Sequence, residues 1–331
     1  MRRLNQEFSL RRLTQAIVAL VLVCGTASRG WCANLWLAEH HNHTVESFTS
    51  SQLKKSGSPT PGGIVDIAAS GVAFDKSKNL WVVVDYDEVD EFTAAQVKKL
   101  SSNDSPAPAA IITSSSTFQE ILSCAFDKKG NLWLTDLVAG TLDELSKAQL
   151  AKGSADLTPA VVISSADLQP GGPDFVTFDK SGDAWIDNET ESKVVEFTPG
   201  QLKSGGDQSG NVVLTTDGSG SLEYPGEPAF DSKGNLWLAN YLGQTVVEFT
   251  KKELKASGSP TPAVTLSDQD GSLIGPWGAV FDGNGDLLIT NFDGGSISKF
   301  TPNQLKTSGA PVPPVFLTGE AYNSYELIFG P

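Results

Sequence analysis

The sequence predicts an all-β fold, a six-bladed β-propeller of four-stranded blades, and three observations carry that prediction. One phrase recurs as VAFDKSKNLWVVVD, CAFDKKGNLWLTD, VTFDKSGDAWIDN, PAFDSKGNLWLAN and AVFDGNGDLLITN. Its phenylalanine falls at positions 74, 126, 178, 230 and 281, at spacings of 52, 52, 52 and 51 residues. A constant period of this length marks a repeat architecture, in which each unit buries its apolar face against the next. A sixth copy is split between the ends, NLWLAEH around Trp36 and YELIFGP containing Phe329. Pairing the C-terminal strand with the first three strands closes the ring and leaves no gaping edge.

Each unit resolves into four strands. Ala-Phe-Asp closes the first, and Asp-x-x-Gly-Asn makes a tight turn in which Gly or Asn takes the left-handed conformation that other residues resist. The alternating Leu-Trp-Leu-Ala-Asn forms the second strand and Thr-Val-Val-Glu-Phe the third. A short helix then precedes the fourth, as in TPGQLKSGG and TPNQLKTSG, with Thr198 and Thr301 as N-caps, Pro199 and Pro302 at the first helical position and glycine at the end. Tryptophans 36, 81, 133, 185 and 237 recur once per unit and read as blade core, whereas Trp277 lies outside that register.

Residues 1–27 read as an export signal: Arg2, Arg3, Arg11 and Arg12 lead into the apolar run from Ala16 to Val23, followed by the small residues Gly25, Thr26 and Ala27. The run is too short to span a bilayer. The expectation is a secreted or periplasmic protein, with residues 28–331 as one propeller domain, monomeric and without a transmembrane segment. A lipid-bearing Cys24 and a twin-arginine leader are weaker matches to the same residues. Of the cysteines outside the leader, Cys32 and Cys124, neither belongs to a C-x-x-C spacing, and Cys124 reads as a small buried hydrophobe.

The formal charge is −15, and no arginine follows Arg29. Such a chain repels polyanions, so nucleic acid is excluded as a partner. Cations, small molecules and protein surfaces remain. Of the 19 lysines, 17 fall in the turns between strands one and two or in the helical segments, leaving only Lys193 and Lys299 beside strand three. The opposite face, formed by the loops between strands two and three and the crossings between blades, is therefore almost bare of positive charge and rich in carboxylates.

Three residues past each tryptophan or its equivalent stand Glu39, Val84, Asp136, Asn188, Asn240 and Asn291. The propeller axis would gather their oxygens into a ring at the channel mouth, making Glu39, Asp136, Asn188, Asn240 and Asn291 candidate ligand-binding residues. The alternative is that Asp and Asn there cap loops by accepting backbone N–H groups. Asp174, Glu227 and Glu326, where the first strands begin, are candidate ligands for Ca²⁺, Mg²⁺ or Mn²⁺, which favour oxygen donors. Trp277, at the mouth, is placed to stack on a ligand. All three histidines, His40, His41 and His43, crowd one loop beside Glu39. Successive extended residues point opposite ways, so at most two share a metal, and a closed zinc site needs four ligands. The loop reads first as a turn, with His43 aligned to Gly140, Gly243 and Gly295, and His40 as a further candidate at the mouth.

The units resemble NHL repeats, and Asn42-His43-Thr44-Val45 is similar to the Asn-His-x-hydrophobic turn that names them. The chain as a whole resembles the six-bladed gluconolactonase-like and streptogramin-lyase-like propellers. That resemblance implies a divalent metal held by a Gly-Glu-x-Pro phrase, matched in part by PGEPAFD through Glu227, and by a Pro-Asp-Gly phrase, matched in part by GPDFVTFD through Asp174. In GPWGAVFD, Trp277 stands where the family has asparagine. No G-x-S-x-G elbow is present. The functional expectation is a binding or scaffold module acting through its acidic face on a cation, small molecule or protein. The alternative is a metal-dependent hydrolase or lyase with Glu39, Asp174 and Glu227 as ligands.

Overall fold

The computed structural model describes residues 34–39, 42–101, 105–319 and 326–331; the expected leader, Cys32, His40 and His41 lie outside them. The described chain forms six sheets. Blade 1 joins Glu326–Gly330 to Asn34–Glu39, Thr44–Phe48 and Gly63–Asp66, with Asn34 opposite Gly330 and Ala38 opposite Glu326. The ring is thus closed by the C-terminal strand, as the split repeat requires. Blades 2 to 6 follow in chain order, with second strands Leu80–Val84, Leu132–Asp136, Ala184–Asn188, Leu236–Asn240 and Leu287–Asn291.

The tryptophan stripe joins neighbouring blades. Trp36 meets Phe74 at 5.5 Å between ring centroids, Trp81 meets Phe126 at 6.0 Å, Trp185 meets Phe230 at 5.8 Å and Trp237 meets Phe281 at 6.2 Å, all edge to face. Each repeat therefore supplies half of one contact, and burying both halves requires its neighbour. A second latch runs round the rim. Ala155–Asp156 of the blade 3 connection pairs in parallel with Ile112 and Thr113 of blade 2, Gly206–Asp207 pairs with blade 3, and Gly57, Gly258 and Gly309 bridge to Leu317, Leu214 and Leu266.

The hairpin turns follow the expected chemistry, with one exception. Glycines 130, 182, 234 and 285 take φ between 84° and 96°, but blade 2 puts Lys78 there at φ 71°. The helices also divide. Thr198 caps Pro199–Ser204 through a reciprocal bond with Gln201, as do Thr93 and Ser146 in blades 2 and 3. In blade 6, Thr301 instead bonds Gln304 across a turn, and only Gln304–Lys306 winds, as a 3₁₀ segment. His43 occupies a left-handed turn position at φ 54°, matching Gly140 and Gly295. In blade 5 that position belongs to Gln244 at φ 49°, one residue after the expected Gly243. Cys124 is buried, as read from the sequence.

Candidate functional site

The loops between strands two and three, with the crossings between blades, surround a cleft of about 330 Å³ at one mouth of the central channel. One wall is aromatic. Trp277 begins the first strand of blade 6 and touches Tyr241 at 5.4 Å and 89°, Phe175 at 6.0 Å and 74°, Tyr224 at 6.1 Å and 47°, and Phe292 at 6.2 Å and 43°. Its backbone is fixed from blade 5: the Glu227 N–H donates to the Trp277 carbonyl at 3.2 Å, and a Cβ on Gly226 would come within 2.2 Å of that oxygen. Glycine at 226 is what allows so close an approach.

The other wall is acidic, formed by Glu120, Asp174 and Glu189. Asp174 is 3% exposed, and its Oδ2 accepts the Glu189 N–H at 3.2 Å. Burial first, then the charges of Asp187, Glu189 and Glu120, hold its carboxyl well above the usual carboxylate range. Asp187 lies wholly buried beside it; Oδ1 accepts the Phe175 N–H at 2.8 Å and Oδ2 has no partner among the described residues. Burial raises the Glu189 carboxyl too, and burial together with the adjacent Glu189 pushes the Tyr224 hydroxyl up to about 12. Among the described residues no lysine lines this cleft. On the same face, Lys193 is 3.4 Å from Glu191; Lys299 lies at the other end of its strand, bonding Asp282 at 3.0 Å and Asp286 at 2.9 Å on the hairpin turn of blade 6.

Below the mouth the first strands line the channel, which holds Glu227 and Glu326 and ends between phenylalanines 74, 126, 178, 230 and 281. Glu326 accepts the Ser123 hydroxyl on Oε1 and the Val72 N–H on Oε2, both at 2.7 Å. It thereby ties the C-terminal strand to blades 2 and 3. Burial pushes its carboxyl up to about 8. Glu227, half-buried in the channel wall, accepts the Ala279 N–H at 3.3 Å, and burial plus the charge of Glu326 keeps it well above its ordinary range.

The geometry separates the sequence-predicted residues into two sets. Asp174 and Trp277 meet at the mouth, with Glu227 and Glu326 paired beneath them. The residues three past each tryptophan do not line the cleft. Asp136 accepts the N–H groups of Gln119, Glu120 and Ala139 at 2.8, 3.1 and 3.0 Å. Asn188 accepts from the Glu191 N–H at 3.1 Å and donates to the Pro170 carbonyl at 3.0 Å. Asn240 accepts from the Glu223 N–H at 3.2 Å, and Asn291 donates to the hydroxyls of Ser296 and Ser298, both at 3.1 Å. Asp136, Asn188 and Asn240 thus accept loop N–H groups, the alternative reading of the same positions, whereas Asn291 Oδ1 is buried without a partner among the described residues. Glu39 is wholly buried, and burial plus the Glu46 charge pushes it up to about 9. His40 lies outside the described residues.

In blades 3 to 6 the mouth is instead lined by the next residue of the loop: Leu137, Glu189, Tyr241 and Phe292, one position after Asp136, Asn188, Asn240 and Asn291. Side chains alternate along an extended chain, so stepping one residue turns the set from the space between blades toward the axis. Tyr86, Leu122, Phe175 and Tyr224 complete the lining and were not singled out in the sequence. The signal available was the change from apolar to aromatic or acidic after the Asn of blades 4, 5 and 6.

Among solved structures, the chain is similar to a candidate 6-phosphogluconolactonase from Bacteroides fragilis, at 14% identity and TM-score 0.63, covering 92% of this chain and 99% of that one. It is also similar to a protein of unknown function from Bacteroides caccae, at 12% identity and TM-score 0.60, covering 90% and 98%. A streptogramin B lyase structure matches at 16% identity and TM-score 0.50, covering 92% and 82%. These likenesses establish the six-bladed propeller fold shared with lyase and lactonase-like structures. No family model matches the chain, and no curated protein matches it.

Proposed function

We propose that this propeller is a binding module that takes a small molecule at the channel mouth. The observation that carries the reading is Trp277, a partly exposed tryptophan packed among four other aromatic rings in a cleft with a carboxylate wall opposite. A concave, mostly apolar site with a few convergent polar groups is the usual form of a ligand pocket. The exposed Val138, Leu242 and Ile274 on the loops around it extend the apolar rim. The test is tryptophan emission and melting temperature of the wild type against a set of small neutral and charged aromatic compounds, repeated on Trp277→Ala. Ligand-dependent changes confined to the wild type support the reading; a set that affects neither protein, or both alike, overturns it.

The enzymatic alternative, a metal-dependent hydrolase or lyase, needs Asp174, Glu227 and Glu326 or Glu39 to converge on one ion. Among the described residues no group of three His, Cys, Asp or Glu side chains is placed to hold a metal. Both oxygens of Glu326 already accept hydrogen bonds, and Asp174 sits with Asp187 and Glu189 rather than with the channel pair. The residues present do not fit Ca²⁺, Mg²⁺ or Mn²⁺, which call for about six to eight oxygens around calcium or a near-octahedral set around magnesium. The likeness to a lyase and a candidate lactonase supports the alternative at the level of fold alone. Among the described residues no helix is long and apolar enough to cross a membrane. Export through residues 1–27 is part of the proposal, and fractionation of cells expressing the full chain tests it.

A further inference from the structure

We propose that the ligand of the mouth is a small organic monocation, an ammonium group on an apolar body, seated between the Trp277, Tyr241 and Tyr224 rings and the Asp174 and Glu189 carboxylates. This rests on the small-molecule reading above and names its chemical class. Three independent features of the site converge on it.

The first is the shape of the aromatic wall. Tyr241 stands at 89° to Trp277, Tyr224 at 47° to Trp277 and at 46° to Tyr241, with centroids 5.4 to 6.1 Å apart. Rings so inclined form the sides of a corner rather than a stack. A cation within about 6 Å of such ring faces is attracted by their quadrupoles, most strongly by tryptophan. Tyr241 is itself oriented by its hydroxyl, which donates to Asp293 Oδ1 at 3.1 Å.

The second is the uncompensated charge. Among the described residues the cleft is lined by Glu120, Asp174 and Glu189 and by no basic side chain, in a chain that has no arginine after residue 29. Burial biases Asp174 and Glu189 toward the neutral acid, and a cation seated beside them favours their ionised form, whereas an anion would be opposed by it. The third is Glu189, which lines the cleft with Oε2 buried and without a partner among the described residues. A buried acceptor left unpaired is costly, and an ammonium ligand, all donor and no acceptor, relieves that cost. A metal ion would need inner-sphere oxygens that do not converge here among the described residues; an alkylammonium needs only opposite charge and an aromatic surface.

The experiment uses three probes with one body and three charges: 2-phenylethylamine, 2-phenylethanol and phenylacetate. They are titrated calorimetrically into the full chain, into Trp277→Ala and into an Asp174→Asn/Glu189→Gln double variant whose melting curve confirms folding. The expected result is that the amine binds at least ten-fold more tightly than the alcohol, with phenylacetate weakest. The double variant should lose that preference while keeping alcohol affinity, and Trp277→Ala should weaken both. Equal affinity for amine and alcohol in the wild type overturns the charge assignment and leaves the binding site standing. Failure of all three probes to bind at millimolar concentration overturns this proposal; the broader fragment set then decides the small-molecule reading on its own.

Discussion

Asn235 donates its amide to Glu248 Oε1 at 2.7 Å, and the same amide group reaches Asp231 Oδ2 at 3.0 Å. Asn79 bridges Asp75 and Glu91 identically in blade 2, at 3.0 and 2.8 Å. Blade 6 solves the same problem with Lys299 between Asp282 and Asp286. Blade 4 does not: Asp183 replaces the asparagine, setting a third acid beside Asp179 and Glu196, and burial followed by the Asp179 charge raises its carboxyl.

Asp183→Asn is therefore expected to stabilise the fold at neutral pH, because it exchanges a repelled carboxylate for two amide donors. Hydrogen bonds to charged acceptors contribute about 1.5–3 kcal/mol, and the partial exposure of Asp183 argues for the lower part of that range. A melting temperature raised by roughly 2–5 °C is the expected outcome. An unchanged or lowered value would show that the bridge is not what holds the turn.

Trp237→Ala and Trp277→Ala should separate stability from binding. Trp237 is 1% exposed and packs on Phe281 of the next blade, so its loss is expected to cost about 3–5 kcal/mol. Trp277 is partly exposed at the mouth, and its loss should change the melting temperature much less while removing ligand-dependent fluorescence. Circular dichroism melts of the two variants, side by side, make the comparison.

The closing strand is expected to be indispensable. Leu327 is 1% exposed and belongs to a core cluster with Leu35, Leu37 and Leu288. Leu327→Ala should cost about 2–5 kcal/mol, and deleting residues 326–331 should lower the melting temperature further, since it also strands the Ser123 hydroxyl and the Val72 N–H. A deletion that melts like the wild type would contradict a closed ring.

Stability should fall as pH rises. Burial pushes Asp143 up to about 7 and Glu39 up to about 9, from ordinary values of 3.8 and 4.5. Between its ordinary and its folded pKa each group holds a proton in the folded chain that the unfolded chain has released, so the slope of stability against pH is negative there. The contribution is complete below about pH 4 and is lost through about pH 7 for Asp143 and about pH 9 for Glu39. Melting temperatures measured from pH 5 to 9 should decline, and Asp143→Asn should flatten the part below pH 7. A melting temperature that rises with pH would overturn this account.

The fold was legible because its repeat is dictated by packing: the Trp of one unit and the Phe of the next must recur at a fixed interval for every blade boundary to be filled. The site was half legible. Trp277 stood out because it breaks the register, and Asp174 because a carboxylate at the start of a first strand faces the axis. The ring at Glu39, Asp136, Asn188, Asn240 and Asn291 shows the difficulty, since polarity is equally compatible with capping a loop and with meeting a ligand. Only the backbone shows which of two adjacent residues turns inward, and here it is Glu189, Tyr241 and Phe292. Tyr224 reaches the mouth from a crossing whose path, set by the left-handed φ of 60° at that residue, has no periodic signature.

On the face away from the mouth, the Lys76 amine donates to the carbonyl of Lys128, Lys128 to that of Lys180, and Lys180 to that of Ser232 at 2.5 Å. The relay stops there, because Ser232 and Gly283 hold the corresponding positions in blades 5 and 6 and carry no amine. Half of the circumference is laced and half is not. Breathing of the ring should concentrate at the unlaced junctions from blade 5 round to blade 2, seen as faster amide hydrogen exchange in blades 6 and 1 than in blades 3 and 4. That arc carries Tyr241, Trp277 and Phe292, so the compliant side of the molecule coincides with the aromatic flank through which a guest would enter.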